Sequence, residues 1–429
     1  MRTFAICSFL FGALAAPLSA QSLRDLVTGL FRFGTGCVSP ICLDLDSGHG
    51  DHYNPAALTG GANLIDFLAT PIAQGIASLP ISAASGGSIW APGPDGLPVR
   101  TETSSGPVFA ERGQTLGRGR MLFSAGVTRF DYRSIRGVPL DGLVFTFPHA
   151  DVGNDGLQQP AFESDVIEVK ASVGVAVTAV VPVISYGLTD RIDISVAVPL
   201  IRTSLTGTSE AQIIPFANPT PHHFGTAANP QLRATTAIDG AASGIGDVAI
   251  RAKAQVYGSP RGAFAILGDV RLATGNEEDF LGSGATTVSV VAVGSLRRGA
   301  FSPHFNAGFI KRGGDYQNNG ILATVGFDHL MGRRATMAVD LITEWQLGDN
   351  GLEPPPPLTV SALIGTATAV RVIRPTNIPD RRDDRALASI GAKLGLSAGL
   401  TFVTNALIPL RQTGLQPNFG WTTGFEYSF

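Results

Sequence analysis

The sequence predicts an all-β transmembrane barrel of about twelve antiparallel strands, together with an N-terminal, partly helical plug. Three observations support this fold class. Apolar and polar residues alternate along most of 118–429, the connections between these stretches alternate in length, and residues 419–429 form one strongly aromatic strand. Alternation with a period of two gives each strand one apolar and one polar face. Barrels that cross a bilayer combine such strands with short turns at one end and longer loops at the other.

The composition is typical of a chain whose strands face lipid. Only 15% of the 429 residues are charged, and 52 of the 429 are glycine. The mean hydropathy is +0.21. After residue 20, no uninterrupted apolar run approaches the roughly 18 residues that predict a membrane-spanning helix. The formal net charge of -3 is too small to suggest a nucleic-acid partner. We expect outer-membrane lipid to be the main contact of the barrel.

Residues 1–20 are typical of a secretory signal peptide, which implies export; together with the predicted barrel it places the protein in the cell outer membrane. Arg2 supplies the positive start, an apolar stretch follows, and Ala20 precedes the expected cleavage point. Export leads to an oxidising compartment, so we expect Cys37 and Cys42 to form a disulfide. That bridge would close a very short loop and stiffen a turn more than it would stabilise the fold.

Residues 21–117 do not alternate and are interpreted as an N-terminal plug or periplasmic segment. Apolar residues recur with helical spacing in 23–33 and in 58–79, where Phe67 belongs to the apolar set. A weaker hairpin pattern lies in 87–103. The sequence does not decide whether this segment fills the barrel or hangs below it in the periplasm.

The barrel itself is predicted over residues 118–429. The candidate strands lie near 120–134, 164–187, 192–206, 245–258, 262–275, 284–297, 300–312, 319–332, 334–348, 385–396, 399–410 and 419–429. Fourteen strands are the alternative, if 87–103 or 357–373 joins the wall. The stretch 207–243 is predicted to be a long loop. An even strand number places both chain termini at the end that carries the short turns.

Charged residues in most strands take the parity opposite to Val, Ile and Phe. A charge that faces lipid at the bilayer midplane costs roughly 2–4 kcal/mol, whereas a charge that faces a wet lumen costs little. We therefore predict a set of lumen-facing residues: Glu168, Lys170, Asp247, Arg251, Lys253, Asp269, Arg271, His304, Asp340 and Glu344. Both signs occur, so the set predicts ion pairs or a solute path rather than strong ion selectivity.

The final strand is aromatic on one face, with Phe419, Trp421, Phe425, Tyr427 and Phe429 sharing the odd parity. We expect these side chains to face lipid. The strand resembles the terminal strand of bacterial outer-membrane barrels, whose closing aromatic residue is recognised by the barrel assembly machinery. That resemblance implies an assembly signal at Phe429.

Two further resemblances bear on function. The stretch from Tyr186 to Pro199, with its Gly-Leu-Thr-Asp-Arg turn, and the strand that ends at Leu410 resemble the outer-membrane family named for the MetA pathway of phenol degradation. This resemblance covers 118–429. It implies an outer-membrane channel or transporter, and some members of the family are encoded with pathways that degrade aromatic compounds.

The N-terminal segment is similar in layout to the long-chain fatty acid transporters, on the strength of Asn54-Pro55-Ala56 and the stretch 106–111. That family carries an N-terminal hatch inside its barrel, so the similarity places Asn54, Pro55 and Phe67 in a plug. A plain turn or helix start at Asn54-Pro55 is the alternative.

No motif predicts a cofactor, a metal site or an enzyme. A G-x-S-x-G elbow is absent from the sequence, and His304 is interpreted as a polar lumen residue rather than a catalytic base. The sequence therefore predicts passive uptake of small hydrophobic or aromatic solutes. A structural or lipid-modifying barrel without transport is the alternative, and the sequence does not indicate an oligomeric state.

Overall fold

The computed structural model describes residues 21–33, 40–41, 53, 64–78, 80–81, 83, 90–92, 98–100, 104–149, 165–216, 222–226, 228–314, 317–349, 351–364, 366–397 and 399–429. The predicted signal peptide, the Cys37–Cys42 disulfide and the Asn54-Pro55 element lie outside the described residues. The described part contains helices α1 (Leu23–Gly29) and α2 (Leu64–Ala77).

The strands are given in chain order. The first eleven are β1 (Trp90–Pro92), β2 (Pro98–Arg100), β3 (Met121–Ile135), β4 (Val138–Pro139), β5 (Leu143–Pro148), β6 (Val166–Gly187), β7 (Ile192–Ala197), β8 (Leu200–Ile214), β9 (Phe224–Thr226), β10 (Asn229–Gln231) and β11 (Arg233–Ile245). The others are β12 (Ala249–Ser259), β13 (Gly262–Arg271), β14 (Thr287–Leu296), β15 (Phe301–Arg312), β16 (Gly320–Met331), β17 (Ala335–Gln346), β18 (Leu358–Ile364), β19 (Ala367–Ile373), β20 (Arg385–Gly395), β21 (Leu400–Pro409) and β22 (Leu415–Ser428).

The wall is a closed antiparallel barrel of twelve strands, which confirms the predicted fold class. Its order is β3, β6, β7, β12 to β17, β20, β21 and β22, and β22 pairs with β3 to close it. The fourteen-strand alternative is wrong, because β1–β2 and β18–β19 form separate two-stranded sheets. Short turns such as 188–191 and 332–334 lie at one end, and longer connections such as 272–286 and 347–384 lie at the other. We call these the short-turn end and the long-loop end.

The outer surface of the wall is apolar on every strand. One exposed apolar residue per strand illustrates this surface: Phe123, Ile184, Ile194, Ile250, Ile266, Val290, Phe305, Val325, Leu341, Ile390, Ile408 and Phe425. Such a band matches the hydrocarbon layer of a bilayer, so the fold is that of an outer-membrane β-barrel. No described helix has the length and apolarity needed to span a membrane.

Three wall strands continue beyond the barrel at the long-loop end. Strand β6 has 22 residues, about twice the length of a tilted crossing. Strands β8 and β11 continue β7 and β12 after short breaks, where the Gly246 N–H donates to the Pro199 carbonyl over 2.7 Å. The prediction of a loop across 207–243 is therefore wrong, because much of that stretch extends two wall strands.

The predicted direction of Glu168 and Lys170 is also wrong. In this part of β6 the neighbours Val169 and Ala171 are buried, whereas the Lys170 side chain is 65% exposed. The extension stands above the bilayer, so its outer face meets water and carries the charges. Its inner face packs on the N-terminal segment and carries the valines, which reverses the parity that holds within lipid.

Helix α1 packs on the inner face of this extension. Ser22 caps the helix in a reciprocal capping box with Asp25, and Arg24 N–H donates to the Glu278 carbonyl over 2.9 Å. The connection that contains Glu278 belongs to the long-loop end. Residue 21, the predicted start of the plug segment, therefore lies at the long-loop end and not at the short-turn end where it was expected, whereas Phe429 lies at the short-turn end as predicted.

Helix α2 lies at the mouth of the barrel, and its apolar side chains from Phe67 to Ile76 are buried. Its side chains join one hydrophobic core with α1 and the inner face of the extension. Phe67 is fully buried and lies under the guanidinium of Arg136, 5.4 Å from the ring centroid. In the same core, Phe31 contacts Phe145 edge-on at 5.3 Å. Phe67 thus packs the upper core rather than a cavity.

Phe429 ends the wall next to the first wall strand. Its N–H donates to the Met121 carbonyl over 3.0 Å, and the Met121 N–H donates back over 2.9 Å. The ring is exposed on the outer surface and lies 5.5 Å from the Tyr427 ring. Recognition of Phe429 by the barrel assembly machinery would require an exposed ring, whereas a role in packing would not.

Deletion of Phe429 is expected to lower the amount of protein in the outer membrane several-fold without changing the fold of the inserted fraction, because β22 keeps its remaining ladder to β3. Quantitative blotting of membrane fractions, with heat-modifiable gel mobility as the readout of folding, measures both. The matched control is Phe419→Ala, an exposed aromatic residue of the same strand. Assembly of the deletion variant at the parent level would rule out the assembly signal.

Candidate solute cavity inside the barrel

Residues 104–117, which we call the inner segment, run along the inner face of the wall. Its backbone N–H groups donate over 2.8–3.1 Å to side chains of four strands: Ser105 to Thr336, Glu111 to Asn306, Gly113 to Ser295 and Leu116 to Asp193. These acceptors are buried and belong to β17, β15, β14 and β7. The inner segment therefore lies inside the barrel and spans much of its circumference.

Glycines allow this close approach. A Cβ atom on Gly113 would lie 2.5 Å from the Ala263 carbonyl oxygen, and a Cβ atom on Gly391 would lie 3.0 Å from a Val108 methyl group. Real Cβ atoms avoid the first of these distances. The inner segment thus packs directly on the wall on at least two sides.

A buried ionic cluster joins the inner segment to three wall strands. Asp328 accepts a hydrogen bond from Ser104 and lies 3.6 Å from Arg112, and both of these partners belong to the inner segment. On its other side Asp328 lies 3.5 Å from His304 Nδ1, whose Nε2 lies 2.6 Å from Asp340. Ser104 donates to the carboxylate and not to the imidazole, so this cluster lacks the nucleophile–base contact of a hydrolase.

A second ionic cluster lies against the middle of the inner segment. Glu111 is 3.5 Å from Lys253 and 3.7 Å from Arg251. Arg251 also binds Asp269 over 2.6 Å, and Lys253 lies 3.8 Å from Asp193. The two clusters together fix the inner segment at the short-turn half of the barrel.

Above the inner segment lies a cavity of about 210 Å³ that is partly open to solvent, which we call the inner cavity. Phe109 and Glu111 of the inner segment contribute to its lining. Six consecutive wall strands, β13 to β17 and β20, each contribute one inward aliphatic side chain: Leu267, Val291, Ile310, Leu322, Ile342 and Leu387. The inner cavity therefore has one continuous apolar side.

A second and smaller cavity of about 70 Å³, the outer cavity, lies below α2 at the long-loop end. The two cavities share several lining residues and therefore adjoin: Ser78, Arg271, Ile310, Arg312, Glu344 and Arg385. Arg312 pairs with Glu344 over 2.6 Å. The other two arginines donate to the C-terminal end of α2, Arg271 to the Ala77 carbonyl over 3.0 Å and Arg385 to the Ser78 carbonyl over 3.3 Å.

A further polar cluster holds the long-loop end together, above the wall. His222 Nδ1 lies 3.2 Å from both the Tyr53 hydroxyl and Asp165, and its Nε2 lies 3.2 Å from His149 Nε2. Burial, together with the charge of Asp165, raises the pKa of the Tyr53 hydroxyl. Tyr53 therefore stays protonated and hydrogen-bonds as a neutral group. Among the described residues, no group of three or more His, Cys, Asp or Glu could hold a metal ion.

Most of the predicted lumen residues lie on the buried inner face. Asp247, Arg251, Lys253, Asp269, Arg271, His304, Asp340 and Glu344 do so, whereas Glu168 and Lys170 lie on the outer face of the extension. They do not form one site. Asp269, Arg271, Arg251 and Glu344 line the inner cavity, and His304 and Asp340 belong to the cluster that contacts the inner segment.

Sequence reasoning missed the six aliphatic residues of the inner cavity. They share the inward parity with the charged residues, as Leu267 does with Asp269 and Ile342 does with Glu344. That parity was available in the sequence. It also places the buried pair Lys393 and Glu426, 2.6 Å apart, on the inner face.

No protein-family model matches the chain, and no curated protein matches it. Among solved structures, an outer membrane channel from Pseudomonas putida F1 aligns with 74% of this chain and 97% of its own length, at 13% identity and a TM-score of 0.41. A FadL homologue from Pseudomonas aeruginosa covers 72% and 89%, at 11% identity and a TM-score of 0.31. The CymD monoaromatic hydrocarbon channel covers 73% and 89%, at 8% identity and a TM-score of 0.33. Similarity at this level assigns neither a family nor a substrate.

Proposed function

We propose that the protein is an outer-membrane channel for the passive uptake of small, largely apolar solutes, and that the inner segment closes it at the short-turn end. The observation that carries the proposal is the apolar side of the inner cavity. Six aliphatic side chains from six neighbouring strands line one side of a lumen that is otherwise rich in charged residues, and they form a surface suited to an apolar solute.

The expected binding free energy of an apolar solute in the inner cavity favours passage over tight binding. A solute that buries about 150 Å² of apolar surface gains roughly 4 kcal/mol at 25 cal/mol per Å², before the cost of its lost freedom is subtracted. Net binding is then weak. Passage through a channel requires binding that is strong enough for entry and weak enough for release.

Solute release toward the periplasm requires displacement of the inner segment. Most of its contacts with the wall are hydrogen bonds and ion pairs, and its apolar contact with the wall is small, with Val108 packing on Ala338 and Val403. The inner segment therefore has less apolar surface to separate from the wall than the upper core has. The alternative of a lipid-modifying barrel gains no support from the described residues, because Ser104 and His304 do not form a nucleophile–base pair.

Leu322→Asn is expected to slow the entry of benzyl alcohol into cells about tenfold, because it replaces part of the apolar side with an amide that keeps its water. The measurement is the initial rate of uptake of radiolabelled benzyl alcohol by a Gram-negative host that lacks its own copy of the channel. Membrane levels of each variant are compared by heat-modifiable gel mobility.

Thr324→Asn is the matched control, since Thr324 lines the same cavity on the same face of β16 but is already polar. It is expected to leave uptake within about twofold of the parent rate. Equal uptake by cells with the parent protein, with Leu322→Asn and without any channel would overturn the proposed function.

A further inference from the structure

We propose that the inner cavity prefers solutes that carry one carboxylate on an apolar body, and that Arg385 binds the carboxylate. This inference rests on the proposed function, because it names the class of solute that the same cavity takes. Among the described residues, no carboxylate lies within ion-pair distance of Arg385, which donates a hydrogen bond to the Ser78 carbonyl over 3.3 Å.

The other arginines of the inner cavity each have a carboxylate partner. Arg251 binds Asp269 over 2.6 Å, Arg271 lies 3.7 Å from the same carboxylate, and Arg312 binds Glu344 over 2.6 Å. Glu344 is the register partner of Arg385 across β17 and β20. Its carboxylate is nevertheless committed to Arg312, so Arg385 faces the cavity with its hydrogen-bonding capacity largely unused.

The charges lining the inner cavity do not balance. Four guanidinium groups, of Arg251, Arg271, Arg312 and Arg385, face three carboxylates, of Glu111, Asp269 and Glu344. Glu111 is also shared with Lys253, which lies just outside the lining. The adjoining outer cavity adds Asp247 and Asp383, but Asp383 binds Arg136 and Asp247 accepts hydrogen bonds from Ser283. An anion in the inner cavity would therefore offset the positive charge at Arg385, whereas a neutral solute would leave it in place.

The apolar side begins beside this positive charge. Leu387 follows Arg385 on the same face of β20, and Ile342 is its register partner on β17. Leu322 lies on the next strand and lines the same space. A solute whose carboxylate binds Arg385 would therefore place its apolar body against Leu387, Ile342 and Leu322.

The guanidinium group suits a carboxylate better than it suits a neutral oxygen. Its planar fork offers parallel N–H donors at the spacing of the two carboxylate oxygens, and charge-assisted hydrogen bonds are about twice as strong as neutral ones. Arg385 already donates to the end of α2, which fixes the orientation of the guanidinium before a solute arrives.

The test compares benzoate with benzyl alcohol, which share an aromatic ring and differ in charge. Equilibrium dialysis of the full-length protein near neutral pH is expected to show about tenfold tighter binding of benzoate. Arg385→Gln is expected to reduce benzoate affinity about tenfold and to change benzyl alcohol affinity less than about twofold. Arg385→Lys keeps a positive charge and is expected to retain a preference for benzoate.

Arg411→Gln is the matched control, because it removes a half-exposed guanidinium at the long-loop end that pairs with Asp384 outside the inner cavity. It is expected to bind both solutes as the parent protein does. Equal affinity of the parent for both solutes, or an unchanged preference in Arg385→Gln, would overturn the inference. Those results would leave the proposed uptake of benzyl alcohol untouched. Selective binding of benzoate without uptake of either solute would instead contradict the proposed function.

Discussion

Replacing Asp328 with asparagine is expected to raise the open probability of the barrel about a hundredfold in planar lipid bilayers. Asp328 carries the negative charge between Arg112 of the inner segment and His304 of the wall, and its side chain is fully buried. Removal of one member of a buried ionic cluster typically costs 3–5 kcal/mol. Each 1.4 kcal/mol of that cost that falls on the closed state alone changes its population about tenfold.

The matched control is Asp131→Asn, which removes a carboxylate from an exposed ion pair with Arg129. Exposed pairs contribute about 0–1 kcal/mol, so the control is expected to conduct as rarely as the parent protein. An Asp328→Asn variant that assembles normally and stays as closed as the control would show that this cluster does not hold the inner segment.

The wall of the barrel was predictable because lipid imposes a simple rule. Within the bilayer the outer face must be apolar, so parity along each strand reveals its direction, as it does for Ile250 opposite Arg251. The short turns were predictable for the same reason, since they interrupt that alternation over only a few residues. Strand number and order follow from these two features alone.

The same rule failed where the chain leaves the bilayer. In β6 the alternation of Val169 with Lys170 continues above the membrane, but there the valine faces a protein core and the lysine faces water. The alternation along a strand shows which of its faces is apolar, but not whether that face contacts lipid or a protein core. The length of β6 could have indicated this extension, because 22 residues are more than one crossing of the bilayer requires.

The partners of the inward charges could not be predicted from parity. A strand pattern shows that Arg312 and Glu344 face the lumen, but not that Glu344 reaches past its register partner Arg385 to bind Arg312. The inner segment shows no periodic pattern at all. Its position depends on hydrogen bonds from backbone N–H groups to side chains distant in sequence, and no local signal encodes those contacts.

A disulfide between Ser105→Cys and Thr336→Cys is expected to lock the inner segment and to abolish solute entry. Both residues are small and fully buried, and the Ser105 N–H donates to the Thr336 hydroxyl over 3.0 Å. The double variant is made with Cys37→Ser and Cys42→Ser, so that no other thiol follows residue 20. Each single cysteine variant in the same background is the control, since neither can form the bridge.

The central claim is that solutes enter only when the inner segment moves. It is tested most directly by the rate of benzyl alcohol entry into cells that carry the double cysteine variant, measured after oxidation and again after reduction. The expected result is entry at least about tenfold slower in the oxidised state, full recovery on reduction, and no redox effect in either single variant. Equal rates in the oxidised and reduced states, with the bridge verified by gel mobility, would contradict the account.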